Sequence, residues 1–90
     1  MSQVKNYMEL VVEELLKEIL AAPHSQQVQH SPEFVAQVMA EALNHIRPFY
    51  VTRKEGEVYG YSAAAVSQNK ADIVVEITKA LAVVSEKGYT

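Results

Sequence analysis

Five side chains crowd one stretch of the chain: Asn44, Arg47, Tyr50, Arg53 and Lys54, with Tyr59 and Tyr61 close behind. An arginine offers a planar fork of N–H donors that matches a phosphate and can also grip a guanine edge. A tyrosine ring offers a face on which a base can stack. Grouped at a chain turn, where ligand-binding groups are often placed, these residues have the chemistry to hold an anionic ligand that carries bases. Each also has a plain structural role open to it. Tyr50 fits a core, Arg47 fits a pairing with a glutamate, and Arg53 and Lys54 fit solvated loop charges.

Other chemistry has less to work with. His24 and His30 flank a glutamine-rich spacer, and two histidines could share a divalent metal. No Cys, Asp or Glu completes a ligand set at suitable spacing, so no metal site is expected. His45 falls where a helix should end, and an imidazolium there complements the helix dipole. No serine stands in a nucleophile-elbow context. Gly56 and Gly60 do not form a phosphate-cradling loop. Paired acids such as Glu13 and Glu14 lie beside lysine on a helix face, as solvated charges do. The residues supply no catalytic group, no enzyme activity is expected, and no cofactor is implied.

The elements that must position the five residues are mostly helical. From about Gln3 to Ala22, the residues Val4, Met8, Val11, Val12, Leu15, Leu16 and Ile19 recur at helical spacing, and Pro23 marks the end. A polar linker from His24 to His30 follows. Ser31-Pro32-Glu33 then reads as a helix start, with a capping hydroxyl, a proline at the first position and an acid in the first turn. Phe34, Val35, Val38, Met39, Ala42, Leu43 and Ile46 form the apolar stripe. That helix should stop near His45 or Ile46, because Pro48 disfavours helix at Arg47. Between Phe49 and Tyr59, Tyr50-Val51-Thr52 and Val58-Tyr59 are β-prone and Glu55-Gly56 is turn-like, which suggests a small hairpin. A last helix carries Ile73, Ile77, Leu81 and Val84 on one stripe, with Val74 and Ala80 beside it. Its start at Tyr61, Ser67 or Asn69 is left open, and Gly88 is its expected stop.

Composition bounds the rest. The 90 residues suit one domain, residues 1–90, and contain no cysteine, so neither a disulfide nor a thiolate metal site can staple it. A domain this small buries little more than about 60% of its unfolded surface and often gains stability by association. An apolar content of 49% is more than such a monomer easily hides, which supports a dimer. The net charge of −3 argues against a general nucleic-acid binder. No apolar run is long enough to span a bilayer, and Glu9, Glu13 and Glu14 interrupt any signal-like start. The expected location is therefore cytoplasmic.

One family resemblance covers nearly the whole chain. It rests on Asn6-Tyr7-Met8-Glu9 with the following Val11, Val12 and Leu15, on Ala42-Leu43-Asn44, and on Pro48-Phe49-Tyr50-Val51. It continues through Glu55-Gly56-Glu57-Val58-Tyr59 and Thr78-Lys79-Ala80 in the last helix. In this order the motifs resemble the ComFB family of late competence development proteins. The resemblance implies an all-α small domain of three to five helices, homodimeric, with a short extended segment after the second main helix. It also implies a non-enzymatic receptor for a cyclic dinucleotide, cyclic di-GMP or cyclic di-AMP; the ligand-binding set expected from the residues themselves is Asn44, Arg47, Tyr50, Arg53 and Lys54. The alternative is a ligand-free adaptor for a protein partner in competence, pilus or motility functions. Two departures stand out. Relatives with cysteines in the linker carry apparent metal ligands where this chain has His24, Gln27 and His30. Arg47 takes the first place of the family's usual Pro-Pro pair.

Overall fold

A computed structural model describes residues 3–21, 31–55 and 60–87. The elements run β1 (Val4–Asn6), α1 (Met8–Leu20), α2 (Pro32–Leu43), β2 (Tyr50–Thr52), α3 (Arg53–Glu55), α4 (Tyr61–Val66) and α5 (Lys70–Glu86). The protein is thus mostly helical, with one two-stranded ribbon. Among the described residues no helix is long and apolar enough to cross a membrane.

Helices α2 and α5 each begin at a side-chain cap. Ser31 is extended and its Oγ accepts from Phe34 N at 3.1 Å, with Pro32 at the first helical position. Asn69 settles where the last helix starts: it is extended (ψ 128°), and its Oδ1 accepts from Ala71 N at 2.8 Å. Residues 61–66 form a separate short helix, α4. Helix α2 stops at Leu43 with Asn44 as its C-cap, slightly ahead of the stop that Pro48 alone would set.

The three helical stripes meet in one core. Met8, Val11, Val12, Leu15 and Leu16 come from α1, Phe34, Val38 and Ala42 from α2, and Ile73, Ile77, Ala80 and Val84 from α5. Helices α2 and α5 form the most extensive pair, and α1 lies against α2, α4 and α5. Tyr7 and Ile46 from the connecting segments and Ala64 from α4 complete the core.

One expectation is corrected at the N-terminus. The first helix does not begin at Gln3; it begins at Met8, because Val4–Asn6 is a strand. Val4 leaves the helical stripe and stands 47% exposed. Among the described residues β2 takes its partner from the N-terminus. It pairs antiparallel with β1, with Val4 opposite Thr52, Lys5 opposite Val51 and Asn6 opposite Tyr50. The return strand proposed at Val58–Tyr59, with Gly56, lies outside the described residues. Glu55 belongs to the single helical turn α3, which Thr52 caps: its Oγ1 accepts from Glu55 N at 3.2 Å.

Asn6 explains the rearrangement. Its side-chain Oδ1 accepts from Met8 N at 3.1 Å and from Phe49 N at 2.8 Å. One carboxamide therefore starts α1 and holds the segment after Pro48. Tyr7 N donates to Phe49 O at 2.9 Å and continues the ladder into the helix. The buried Tyr7 ring lies against Gly60, where an added Cβ would stand 2.9 Å from Cδ1 and Cε1.

Asn6→Ala leaves two part-buried amides without this acceptor and should lower stability by about 2–3 kcal/mol, read as a drop in urea midpoint with unchanged slope. Gly60→Ala should also destabilise, by about 1–3 kcal/mol from overpacking on the Tyr7 ring. A helical glycine otherwise gains about 1 kcal/mol from that change, so a raised melting temperature would refute the contact.

Candidate functional site

The chain turn around Pro48 is built from the end of α2, the ribbon and the α4–α5 junction. Asn44 is exposed at the C-cap of α2, and its backbone N–H donates to Ala40 O. His45, beside it, places Nδ1 3.0 Å from Glu41 O and 3.7 Å from Glu41 Oε2. A histidine at the end of α2 thus engages the helix's own last carbonyls, the structural role its position suggests.

Among the described residues Arg47 pairs with no glutamate. Its Nη2 donates to Ser67 O at 3.1 Å, and Gln68 Nε2 donates back to Arg47 O at 3.0 Å. The two bonds clamp the loop after α2 to the residues joining α4 and α5. Neither Ser67 nor Gln68 carried a motif, so only the fold brings them to Arg47.

Tyr50 is not a core residue; it stands 63% exposed. Strand alternation puts it on the outer face of β2 with Thr52, while Val51, half-buried, packs against the core. Arg53 and Lys54 follow at once in α3 and are exposed. Arg53 N donates to Gln3 O at 2.8 Å, so this end of β2 lies beside the start of β1.

The five residues therefore fall into two groups. Asn44 and Arg47 sit at the Phe49 end of the ribbon, and Arg53 and Lys54 sit at the other. Phe49 to Arg53 spans four extended steps, roughly 13 Å in all. Tyr50 lies between the groups. Within one chain, Tyr50 belongs to β2, Arg53 and Lys54 follow it, and Asn44 and Arg47 precede it. Tyr59, His24 and His30 lie outside the described residues. Among the described residues no cluster of His, Asp or Glu could hold a metal ion.

A groove that sequence reasoning missed runs between α2 and α5. Its volume is about 330 Å³, and Glu41, His45, Glu76, Lys79, Ala80 and Val83 line it. Lys79 Nζ lies 3.8 Å from Glu76 Oε2, and His45 lies by Glu41, so each carboxylate already faces a basic side chain. Glu41 and Glu76 are 35 positions apart in sequence, and only the packing of α2 on α5 could bring these residues together.

Comparison with known proteins places this arrangement. A family model described as late competence development protein ComFB matches residues 5–88. The solved structure of the late competence protein ComFB from Bacillus subtilis is similar, with 28% sequence identity and a TM-score of 0.72. The match covers 92% of this chain and 91% of that one. Among curated proteins none matches.

Arg47 and Gln68 make exposed hydrogen bonds, which contribute little to stability. Arg47→Ala should cost less than about 1 kcal/mol in chemical denaturation. A loss of several kcal/mol would make Arg47 a structural keystone and unfit for probing ligand binding.

Proposed function

This chain belongs to the ComFB family, and from that membership we propose that it is a non-enzymatic regulatory protein that binds a cyclic dinucleotide as a homodimer. The ligand would be cyclic di-GMP or cyclic di-AMP, held by both copies of Asn44, Arg47, Tyr50, Arg53 and Lys54. The observation that carries the reading is Tyr50. A large aromatic ring stands 63% exposed on a strand, followed directly by two exposed cations. Folding gains little from a ring left in water, whereas a stacking base would bury it. Arg53 and Lys54 supply donors for the phosphodiesters, and Arg47 supplies more from the far end of the ribbon. The ligand is two-fold symmetric, and an isologous dimer presents the same residues twice about one axis.

The adaptor reading has its own support. Val75 and Val83 on α5 stand 47% and 37% exposed, apolar and off the core, as a protein partner would favour. The family name denotes a process, competence, and fits either reading.

Calorimetric titration separates them. Saturable heat is expected with at least one of the two dinucleotides. Tyr50→Ala and Arg53→Ala should each weaken that binding by about tenfold or more, equivalent to 1.4 kcal/mol, without changing the urea midpoint. Folded protein that gives no heat with either dinucleotide at high micromolar concentration would remove the receptor reading and leave the adaptor.

A further inference from the structure

The site divides along β2, and the free edge of β2 indicates how it closes. Tyr7 N bonds Phe49 O, and Arg53 N bonds Gln3 O. In an antiparallel ladder, hydrogen-bonded and non-bonded pairs alternate. Phe49, Val51 and Arg53 thus turn their backbone groups toward β1. Tyr50 and Thr52, opposite Asn6 and Val4, turn their N–H and C=O groups away from it. Between Pro48, which has no N–H to offer, and the capped turn α3, these two residues form a short strand edge with nothing paired to it among the described residues.

We infer that β2 pairs with β2 of a second copy of this chain, antiparallel about a two-fold axis at Val51, and that this pairing completes the ligand site. The inference rests on the dinucleotide reading for what the site binds, but not for the pairing itself. Tyr50 and Thr52 are self-complementary in this register. Tyr50 of one copy lies opposite Thr52 of the other, and each exchanges N–H···O=C bonds with its counterpart, four in all. The ribbon becomes a four-stranded sheet in the order β1-β2-β2-β1. Both Tyr50 rings and both Thr52 side chains then share its outer face. In the same register Arg53 of one copy falls opposite Phe49 of the other, next to that copy's Pro48 and Arg47. The roughly 13 Å that separates the two cationic groups within a chain is bridged between chains.

Charge names the class of occupant. Arg47, Arg53 and Lys54 from each copy converge, with Glu55 the nearest acid in the sequence. These like charges oppose the pairing, and a ligand with two phosphodiester charges relieves them. A dianion of two-fold symmetry should therefore tighten the assembly.

A single cysteine tests the register, since the chain has none of its own. At the axis the two Val51 residues form a non-hydrogen-bonded pair with Cα atoms about 4.5 Å apart, within disulfide reach. Val51→Cys under mild oxidation should run largely as a reducible dimer on a non-reducing gel. Ser85→Cys, exposed on α5, should remain monomeric. Thr52→Pro removes an outward N–H while keeping the β1 ladder, and it should abolish the dimer seen by sedimentation; Thr52→Ala, which keeps the N–H, should not. Cyclic di-GMP or cyclic di-AMP should speed the Val51→Cys crosslink. Equal rates with and without both dinucleotides would uphold the pairing and sink the dinucleotide reading. Folded Val51→Cys protein that fails to crosslink with or without dinucleotide, or crosslinking of Ser85→Cys in its place, would overturn the pairing.

Discussion

The Asn6 carboxamide is the contact on which the architecture turns. A single oxygen accepts from Met8 N, which starts α1, and from Phe49 N, which lies just past Pro48. Few side chains could do both. The acceptor must be short enough to reach its own helix start and must offer two lone pairs, and asparagine meets both needs. Because the bond to Phe49 spans 43 positions, it ties the first element to the middle of the chain. Tyr7 extends the tie through its backbone N–H to Phe49 O and through its ring, which covers Gly60 at the start of α4 and carries Lys5 Nζ 5.4 Å from its centroid.

The exposed chemistry follows from that tie. Once Phe49 is fixed beside Asn6, Tyr50–Thr52 must run alongside Val4–Asn6 in antiparallel register. The pleat then sends Val51 inward and Tyr50 outward. The same extension carries Arg53 and Lys54 away from Arg47, which is held to Ser67 and Gln68 at the other end. A compact five-residue cluster in sequence becomes a line of groups in space.

Helices were legible because their signals are local. The stripes through Met8–Leu16, Phe34–Ala42 and Ile73–Val84 are read from residues three and four apart, and the same residues form the core. Ser31 as a cap and Pro32 at the first helical position were equally plain. The N-terminal strand was not. Val4 fits a helical stripe with Met8 and Val11, and nothing within its neighbourhood opposes helix. Its strand conformation depends on Thr52 and Phe49, which sequence proximity does not reveal. Tyr50–Thr52 was correctly seen as extended, but its pairing with β1 was not legible, because that partner lies far away in sequence.

By itself, the sequence determined the helical class, the positions of three core stripes, the helix start at Ser31 and a helix end ahead of Pro48. It also supplied the cations near that proline, Arg47, Arg53 and Lys54. All of these depend on residue type and on spacing within a few turns of helix. Only the tertiary structure decided that Asn6 joins the two ends of the ribbon, that Asn69 and not Tyr61 starts the last helix, that Arg47 clamps the α4–α5 junction and that Tyr50 faces solvent. These features depend on hydrogen bonds and packing between segments tens of residues apart, where the partner of a donor or a strand edge is chosen by the folded chain and not by its neighbours. The cluster from Asn44 to Lys54 shows the division most directly. Its chemistry was written in the residues, and its geometry was set by the β1 strand that pairs with it.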